Sequence, residues 1–295
     1  MRASCRALGV SVSAYYDWCG RAPSDREVED RRLAVEVRTV HRESRQTYGA
    51  RRVHAELQAR GVACGRHRVG RLMREGGLVA RGPKRKPPKA TPSTPLTPVA
   101  DNVLDRAFEP DAPDRVWTAA PVPPRRAGTY IPTDEGWLYL AVVVDLFSRR
   151  VVGWAARPSL GRELATAALD AALRDRRPDP GLVHHSDQGT QYTSSDYRAM
   201  LRRHELVCSM SRRRAATAWA GIRPAHNAPT ESLFGSLKTE CVRGERFATH
   251  DEASAALFDY LAFYNHRRRH SALDYQSPAE HERRHHARRG LRLAA

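Results

Sequence analysis

Two acidic side chains stand in this sequence where they could share a metal ion. The first is Asp187, in V-H-H-S-D-Q-G-T-Q-Y-T from Val183 to Thr193. The apolar pair Leu182-Val183 runs into His184, His185 and Ser186 and delivers the carboxylate just ahead of Gln188-Gly189, as a buried strand does when it ends in a turn. The second is Glu231, in N-A-P-T-E-S-L-F-G-S-L-K-T-E from Asn227 to Glu240. Pro229 suits the first turn of a helix, and three-and-four spacing then sets Glu231 on one face with Phe234, Gly235 and Lys238. A strand-end aspartate and a helix glutamate over one pocket suit Mg²⁺ or Mn²⁺, which take carboxylate and water oxygens and leave positions open for substrate phosphates. His184 and His185 adjoin Asp187 without a Cys or Asp at ligand spacing, so they are expected to position the turn.

The elements that must carry these groups read as an α/β core. Trp137 to Val144 is apolar on both faces and predicts a central strand. The D-L-F-S-R turn joins it to a second strand, Arg150 to Ala156, and Thr133 to Gly136 makes the preceding hairpin turn. Gly161 to Arg174 predicts an Ala-rich helix with Leu164, Ala168 and Ala171 on one face, Asp196 to Arg203 another, and Leu206 to Met210 a short strand. The helix of Glu231 should run to about Cys241, with Lys238 reaching outward, and Ala253 to Tyr264 should close the core.

Charge points to the partner. The formal net charge is +17, and residues 1 to 90 carry 21 Lys/Arg against 9 Asp/Glu, residues 91 to 265 balance at 21 against 21, and residues 266 to 295 carry 8 against 3. A neutral middle with basic ends is the electrostatic footprint of a nucleic-acid binder, with a solvated basic surface as the plainer alternative. No amphipathic stretch with exposed aromatics accompanies the Arg, so no membrane partner is expected. Five Cys without C-x-x-C spacing predict reduced thiols, and the absence of a signal peptide or long apolar run points to the cytoplasm.

Ahead of the core, A-L-G-V-S and S-A-Y-Y-D-W read as part of a helix-turn-helix within residues 1–30, or as a frayed helix. Residues 31–80 form a helical module. Leu33, Val37 and Val40 repeat at helical spacing, Val53 and Leu57 continue it, and Gly65 opens a third helix with Val69, Leu72 and Met73 inward. Its outward side carries Arg66, Arg68 and Arg71, candidates for contact with a groove or with phosphates if the turn G-V-A-C-G makes a helix-turn-helix. A three-helix bundle with merely solvated Arg stays open. Residues 81–100, rich in Pro and Lys/Arg, read as a linker, 101–280 as the core and 281–295 as a basic tail. Within that tail His281-Glu-Arg-Arg-His285 matches the zinc signature H-E-x-x-H only formally, since it lacks apolar context and room for a third ligand.

The two acidic motifs, together with G-W-L-Y-L-A-V-V-V-D-L-F-S-R-R-V-V-G-W from Gly136 and Y-N-H-R-R-R-H-S-A-L-D-Y-Q-S-P from Tyr264, closely resemble the transposases of IS3-type insertion sequences, members of the retroviral-integrase superfamily. The resemblance covers nearly the whole chain. It implies an RNase H-like integrase core, a mixed five-stranded sheet with flanking helices, in which an Asp, Asp, Glu triad holds two metal ions. Asp187 matches the second Asp and Glu231 the Glu. The resemblance further implies double-stranded DNA, as element ends and target, for a partner, and a homo-oligomer on that DNA; Arg267, Arg268 and Arg269 are then expected beside the substrate groove, and Lys238 either reaches DNA or is a surface lysine.

The chain departs from the pattern at the first Asp. The family's opening strand reads Trp-x-x-Asp-x-Thr-Tyr-Ile. Threading forward from Trp117 puts Ala120 at the Asp, and threading back from Thr129 puts Ala127 there. The nine residues Ala120 to Gly128 replace two and include three Pro, which should break the strand. Asp134 at the hairpin tip and Asp145 at a strand end are poor substitutes. A second odd segment, Arg212 to His226, lengthens the loop before the helix, where added residues cost little. Both segments have the Ala-Arg-Pro-Gly composition of a GC-rich gene read briefly out of frame. The expectation is a transposase with impaired metal-dependent strand cleavage and joining, or a catalytically inactive DNA-binding remnant.

Overall fold

The computed structural model describes residues 1–82, 110–120, 130–186, 189, 191–210 and 228–293, in two units, Met1–Ala80 and Arg81–Ala295. The first unit holds α1 (Arg2–Ala7), α2 (Val12–Gly20), α3 (Asp25–Glu43), α4 (Ala50–Ala59) and α5 (Arg66–Glu75). The expected boundary at residue 30 falls inside α3, because a capping box starts that helix earlier. The Glu27 carboxylate accepts from the Ser24 amide at 2.7 Å while Ser24 Oγ accepts from the Glu27 amide. Val37, Val40, Val53, Leu57 and Val69 are buried where α3, α4 and α5 meet, and Gly61, at φ 79°, makes the left-handed turn out of α4 that a side chain would resist. In α1 and α2 the only buried residue is Cys5.

The second unit is a sheet with helices on both faces. Its strands are β1 (Val116–Ala120), β2 (Tyr130–Thr133), β3 (Gly136–Asp145), β4 (Val151–Arg157), β5 (Val183–Ser186) and β6 (Val207–Met210). β3 is antiparallel to β1, β2 and β4, whereas β1, β5 and β6 run parallel to one another. The six strands occupy five ranks, since β1 and β2 lie along the same edge of β3. Ala120 pairs with Val142 and Tyr130 with Tyr139, so two rungs of β3, Leu140 and Ala141, separate them. Nine residues, 121 to 129, join them in sequence. β1 and β2 are therefore the halves of one strand path with seven residues in excess between them. The residues of that excess, including Pro121, Pro123, Pro124 and Ala127, lie outside the described chain, as do most of the linker and all of Arg212 to His226.

One face of the sheet packs α6 (Arg162–Arg176) and α7 (Ser195–Arg203), burying Trp117, Ala119, Ala141 and Val143 with Leu164, Ala168 and Leu169. Alanines let α6 approach closely: a Cβ on Gly153 of β4 would come within 2.3 Å of the Ala168 carbonyl oxygen. The opposite face packs α8 (Ala228–Leu237) and α9 (His250–His266), with Leu138, Leu140, Val142 and Val144 against Leu233, Leu237, Leu257 and Tyr260. The helix expected to reach Cys241 changes to a π-helical turn over Lys238–Val242.

The segment expected as a basic tail from residue 281 is instead the body of a helix, α10 (Pro278–Leu293). It docks because Glu282, only 4 % exposed, accepts from Ser148 Oγ at 2.8 Å and from Arg150 at 2.7 Å, and pairs with Arg176 at 3.1 Å. No helix among the described residues is long and apolar enough to cross a membrane.

Candidate active site

Glu231 stands in the first turn of α8, exposed to solvent, and its neighbour fixes it in place. Thr230 is fully buried and its Oγ1 lies 2.8 Å from Thr118 Oγ1 in the middle of β1. A threonine pair of this kind satisfies two hydroxyls inside an apolar layer and so sets where the turn of Glu231 meets the sheet. Strand β5 runs parallel to β1, with His185 level with Thr118 and Ser186 level with Ala119. Asp187 follows Ser186 directly in sequence and itself lies outside the described residues. The carboxyl end of β5, the carboxyl end of β1 and the start of α8 thus converge. The strand end and the helix expected to meet over one pocket carry Asp187 and Glu231, 44 positions apart in sequence.

The two histidines before Asp187 are structural. His184 is fully buried, and its Nε2 lies 3.1 Å from the Tyr197 hydroxyl on α7. Burial, with His185 adjoining, holds the His184 pKa down at about 4, so the ring is neutral. His185 Nδ1 lies 3.0 Å from Ser209 Oγ on β6. Each ring ties β5 to a different neighbour. Their alternation on a buried strand is the signal that could have predicted this.

Neither Asp145 nor Asp134 lies at the carboxyl end of β1. Asp145 is fully buried but pairs with Trp117, three residues from Ala120 along β1, roughly 10 Å away. Its oxygens accept from the Ser148 amide and hydroxyl at 2.8 and 2.6 Å and from the Asp114 amide at 2.9 Å, and burial pushes its carboxyl up to about 6. Asp134 stays at the hairpin tip with Arg246 at 3.3 Å. Among the described residues no three His, Cys, Asp or Glu side chains cluster as a metal site would need.

Several basic candidates have other employment. Arg268, expected beside the substrate groove, is 3 % exposed. Its guanidinium donates to both oxygens of Glu240 at 2.6 and 2.7 Å and to Ser236 Oγ at 3.0 Å, and Tyr260 donates to the same glutamate at 3.1 Å. The reading of Arg268 as a DNA contact is therefore corrected. It is a buried strut holding the far end of α8, because Glu240 in the π-helical turn points inward and needs a bidentate partner. Sequence inspection missed it because Glu240 stands outside the three-and-four face of Glu231. Arg269 pairs with Glu280 at 3.0 Å, whereas Arg267 is exposed. Lys238 is half-buried, and burial together with Arg243 lowers its pKa. In the helical unit Arg68 and Arg71 both grip Asp30 of α3, Arg68 at 2.6 Å, and Arg71 also holds Glu75 at 2.9 Å. That leaves Arg66, with His67 and Arg74, as the exposed basic groups of α5.

Known proteins share this plan. Residues 27–86 match the family described as an HTH-like domain, and residues 128–216 and 231–285 match two families each described as an integrase core domain. The chain is 41 % identical over 283 residues to the insertion element IS600 uncharacterized 31 kDa protein of Shigella sonnei, covering 96 % of this chain and 98 % of that one. It is 38 % identical over 287 residues to transposase InsF for insertion sequence IS3A of Escherichia coli (strain K12), covering 96 % and 93 %. Among solved structures, the HTLV-2 integrase catalytic core domain in complex with magnesium aligns at 14 % identity with a TM-score of 0.41, covering 58 % of this chain and 98 % of that one. With relatives this similar over nearly their whole length, and with a helical module ahead of an integrase-type sheet, the chain belongs to the IS3-type family of insertion-sequence transposases.

Proposed function

We propose that this transposase binds double-stranded DNA at insertion-sequence ends and at target sites in the cytoplasm, acting as a homo-oligomer on that DNA. We propose further that its strand cleavage and joining are impaired by loss of the first carboxylate. The observation that carries this reading is the Thr118–Thr230 hydrogen bond, which seats the Glu231 turn on β1 beside the strand that leads into Asp187. A pocket so assembled would draw its third acid from the end of β1, where the chain has Ala120.

Asp187 and Glu231 suit one Mg²⁺ or Mn²⁺, since magnesium binds readily through one or two carboxylates with waters and phosphate oxygens in its remaining positions. They do not suit two ions: cations a few ångströms apart repel, and the bridging carboxylate both screens them and fixes their separation. A bound ion would supply positive charge to the scissile phosphate. The chain's own part is to hold Glu231 toward solvent while Thr230 is locked and to keep water from the apolar layer beneath; Arg66 and Arg267, each exposed in its own unit, are the candidates for phosphate contact.

Strand transfer on terminal inverted repeats with Mg²⁺ or Mn²⁺ tests the reading. DNA binding without detectable joining is the expected result. Robust joining by the chain as it stands would refute the impairment, and absence of DNA binding would refute the function.

A further inference from the structure

Helix α3 keeps its acids and three of its arginines on different sides. Glu27 is spent on the Ser24 cap, Glu29 and Asp30 hold Arg68, Asp30 also holds Arg71, and Glu43 holds Arg60. Asp25 stands in the first turn, where the helix dipole favours it. At about 100° per residue, Arg31, Val35, Arg38 and Arg42 fall within about 60° of one another around the axis, and Glu36 lies about 100° or more from each. The four face away from Leu33, Val37 and Val40, which are buried. Val35 is 58 % exposed in the middle of this stripe, the three Arg are exposed around it, and no ion pair with them occurs among the described residues. Arg38 and Arg42, one turn apart, repel each other. Such a face is costly alone and favourable against an anion.

We propose that Arg31, Arg38 and Arg42 make one side of α3 a phosphate-binding face for double-stranded DNA, separate from the exposed groups of α5. The inference rests on the reading of the chain as a DNA-binding transposase. The dimensions fit: the stretch from Arg31 to Arg42 rises about 16 Å, enough for a helix lying across a major groove about 12 Å wide to reach phosphates on both of its sides. Arg offers planar, permanently charged donors suited to phosphate oxygens. A second copy of the chain fits less well, because the face meeting its own counterpart would set like charges together. An anionic membrane also fits less well, because the large apolar side chains exposed on α3 are two valines, Val28 and Val35, and the helix has no Trp, Phe or Tyr.

The test measures binding of the full chain to a short duplex of arbitrary sequence across a salt series. Each phosphate contact contributes about 0.9 to the slope of log affinity against log salt. The variant R31Q/R38Q/R42Q should therefore lower that slope by about 2.7 and weaken binding at least tenfold at low salt, equally on all sequences. Gln is a good helix former, so the variant should fold, which circular dichroism checks. The charge-keeping variant R31K/R38K/R42K should hold the wild-type slope, as should a control with the same loss of charge at other exposed positions, R174Q/R202Q/R203Q. An unchanged slope in the Gln variant, or an equal fall in the Lys variant or the control, overturns the face while leaving DNA binding in place. Loss of self-association in sedimentation, with the slope unchanged, overturns it in favour of a contact between copies. A wild-type chain that binds no duplex at all sinks the function along with the face.

Discussion

The two ends of the helical run from Ala228 to Val242 have met opposite fates. At its far end Glu240 is buried, bidentate with Arg268, and supported by Tyr260 and Ser236. At its near end Glu231 is exposed, beside the strand that ends at Ala120. The difference teaches what stability does and does not demand. Removing one partner of a buried ion pair leaves an uncompensated charge, costing about 3–5 kcal/mol, a large part of a domain's whole stability. A metal-binding carboxylate that faces water holds nothing together in the apo fold, and like charges gathered in a pocket repel. An acid at the near end can therefore change without disturbing the architecture that Glu240 holds at the far end.

The largest expected effect repairs the near end. Deleting Pro121 to Ala127 joins Ala120 to Gly128, which matches the two rungs of β3 left between β1 and β2, and Ala120→Asp then restores Trp-x-x-Asp-x-Thr-Tyr-Ile. Strand transfer by the repaired chain should rise by orders of magnitude over the present one, while the deletion without the aspartate should stay inactive. Equal activity in both would break the comparison, since the acid would then not be the missing part.

At the far end, Glu240→Gln or Arg268→Met should each destabilise the second unit by about 3–5 kcal/mol in denaturant unfolding. The double substitution Glu240→Leu with Arg268→Met should recover much of that loss, because no orphaned charge remains. A double variant as unstable as the sum of the singles would show that packing, not charge pairing, is what Arg268 supplies.

An acid transition should be smaller and specific. The folded-state pKa of His184 is lowered to about 4, so the unfolded chain binds a proton more readily between pH 6.5 and 4. Its contribution is complete above pH 6.5 and is lost as pH falls toward 4. Asp145, raised to about 6, works the other way, losing stability as pH rises from about 4 to 6 and so offsetting part of the slope. Urea unfolding across this range should be less steep in acid for His184→Gln than for the parent; an identical profile would remove the histidine from the account.

The smallest effect is the sharpest contrast. Glu231→Gln should change stability by no more than about 0.5 kcal/mol, as exposed positions do, although it lies nine residues from Glu240 on the same helical run. A loss comparable with that of Glu240→Gln would mean that Glu231 is a structural acid as well.

Local pattern alone determined much of this protein. The apolar run from Trp137, the D-L-F-S-R turn and the Ala-rich helix after it specify β3, β4 and α6, because strand and helix periods act over neighbouring residues. The excess of residues between β1 and β2 is legible for the same reason. The capping box at Ser24 was equally local and went unused, which misplaced the start of α3. Tertiary structure alone decided what each charge faces. The sequence presents Arg267, Arg268 and Arg269 as one basic run, yet the fold exposes the first, buries the second against Glu240 and pairs the third with Glu280. It likewise turns H-E-R-R-H from a tail into a docking surface through Phe147, Arg150 and Arg176, residues more than a hundred positions away. The physical reason is that an ionised side chain is worth little in water and much beside a buried partner, and chain position does not say which partner that will be.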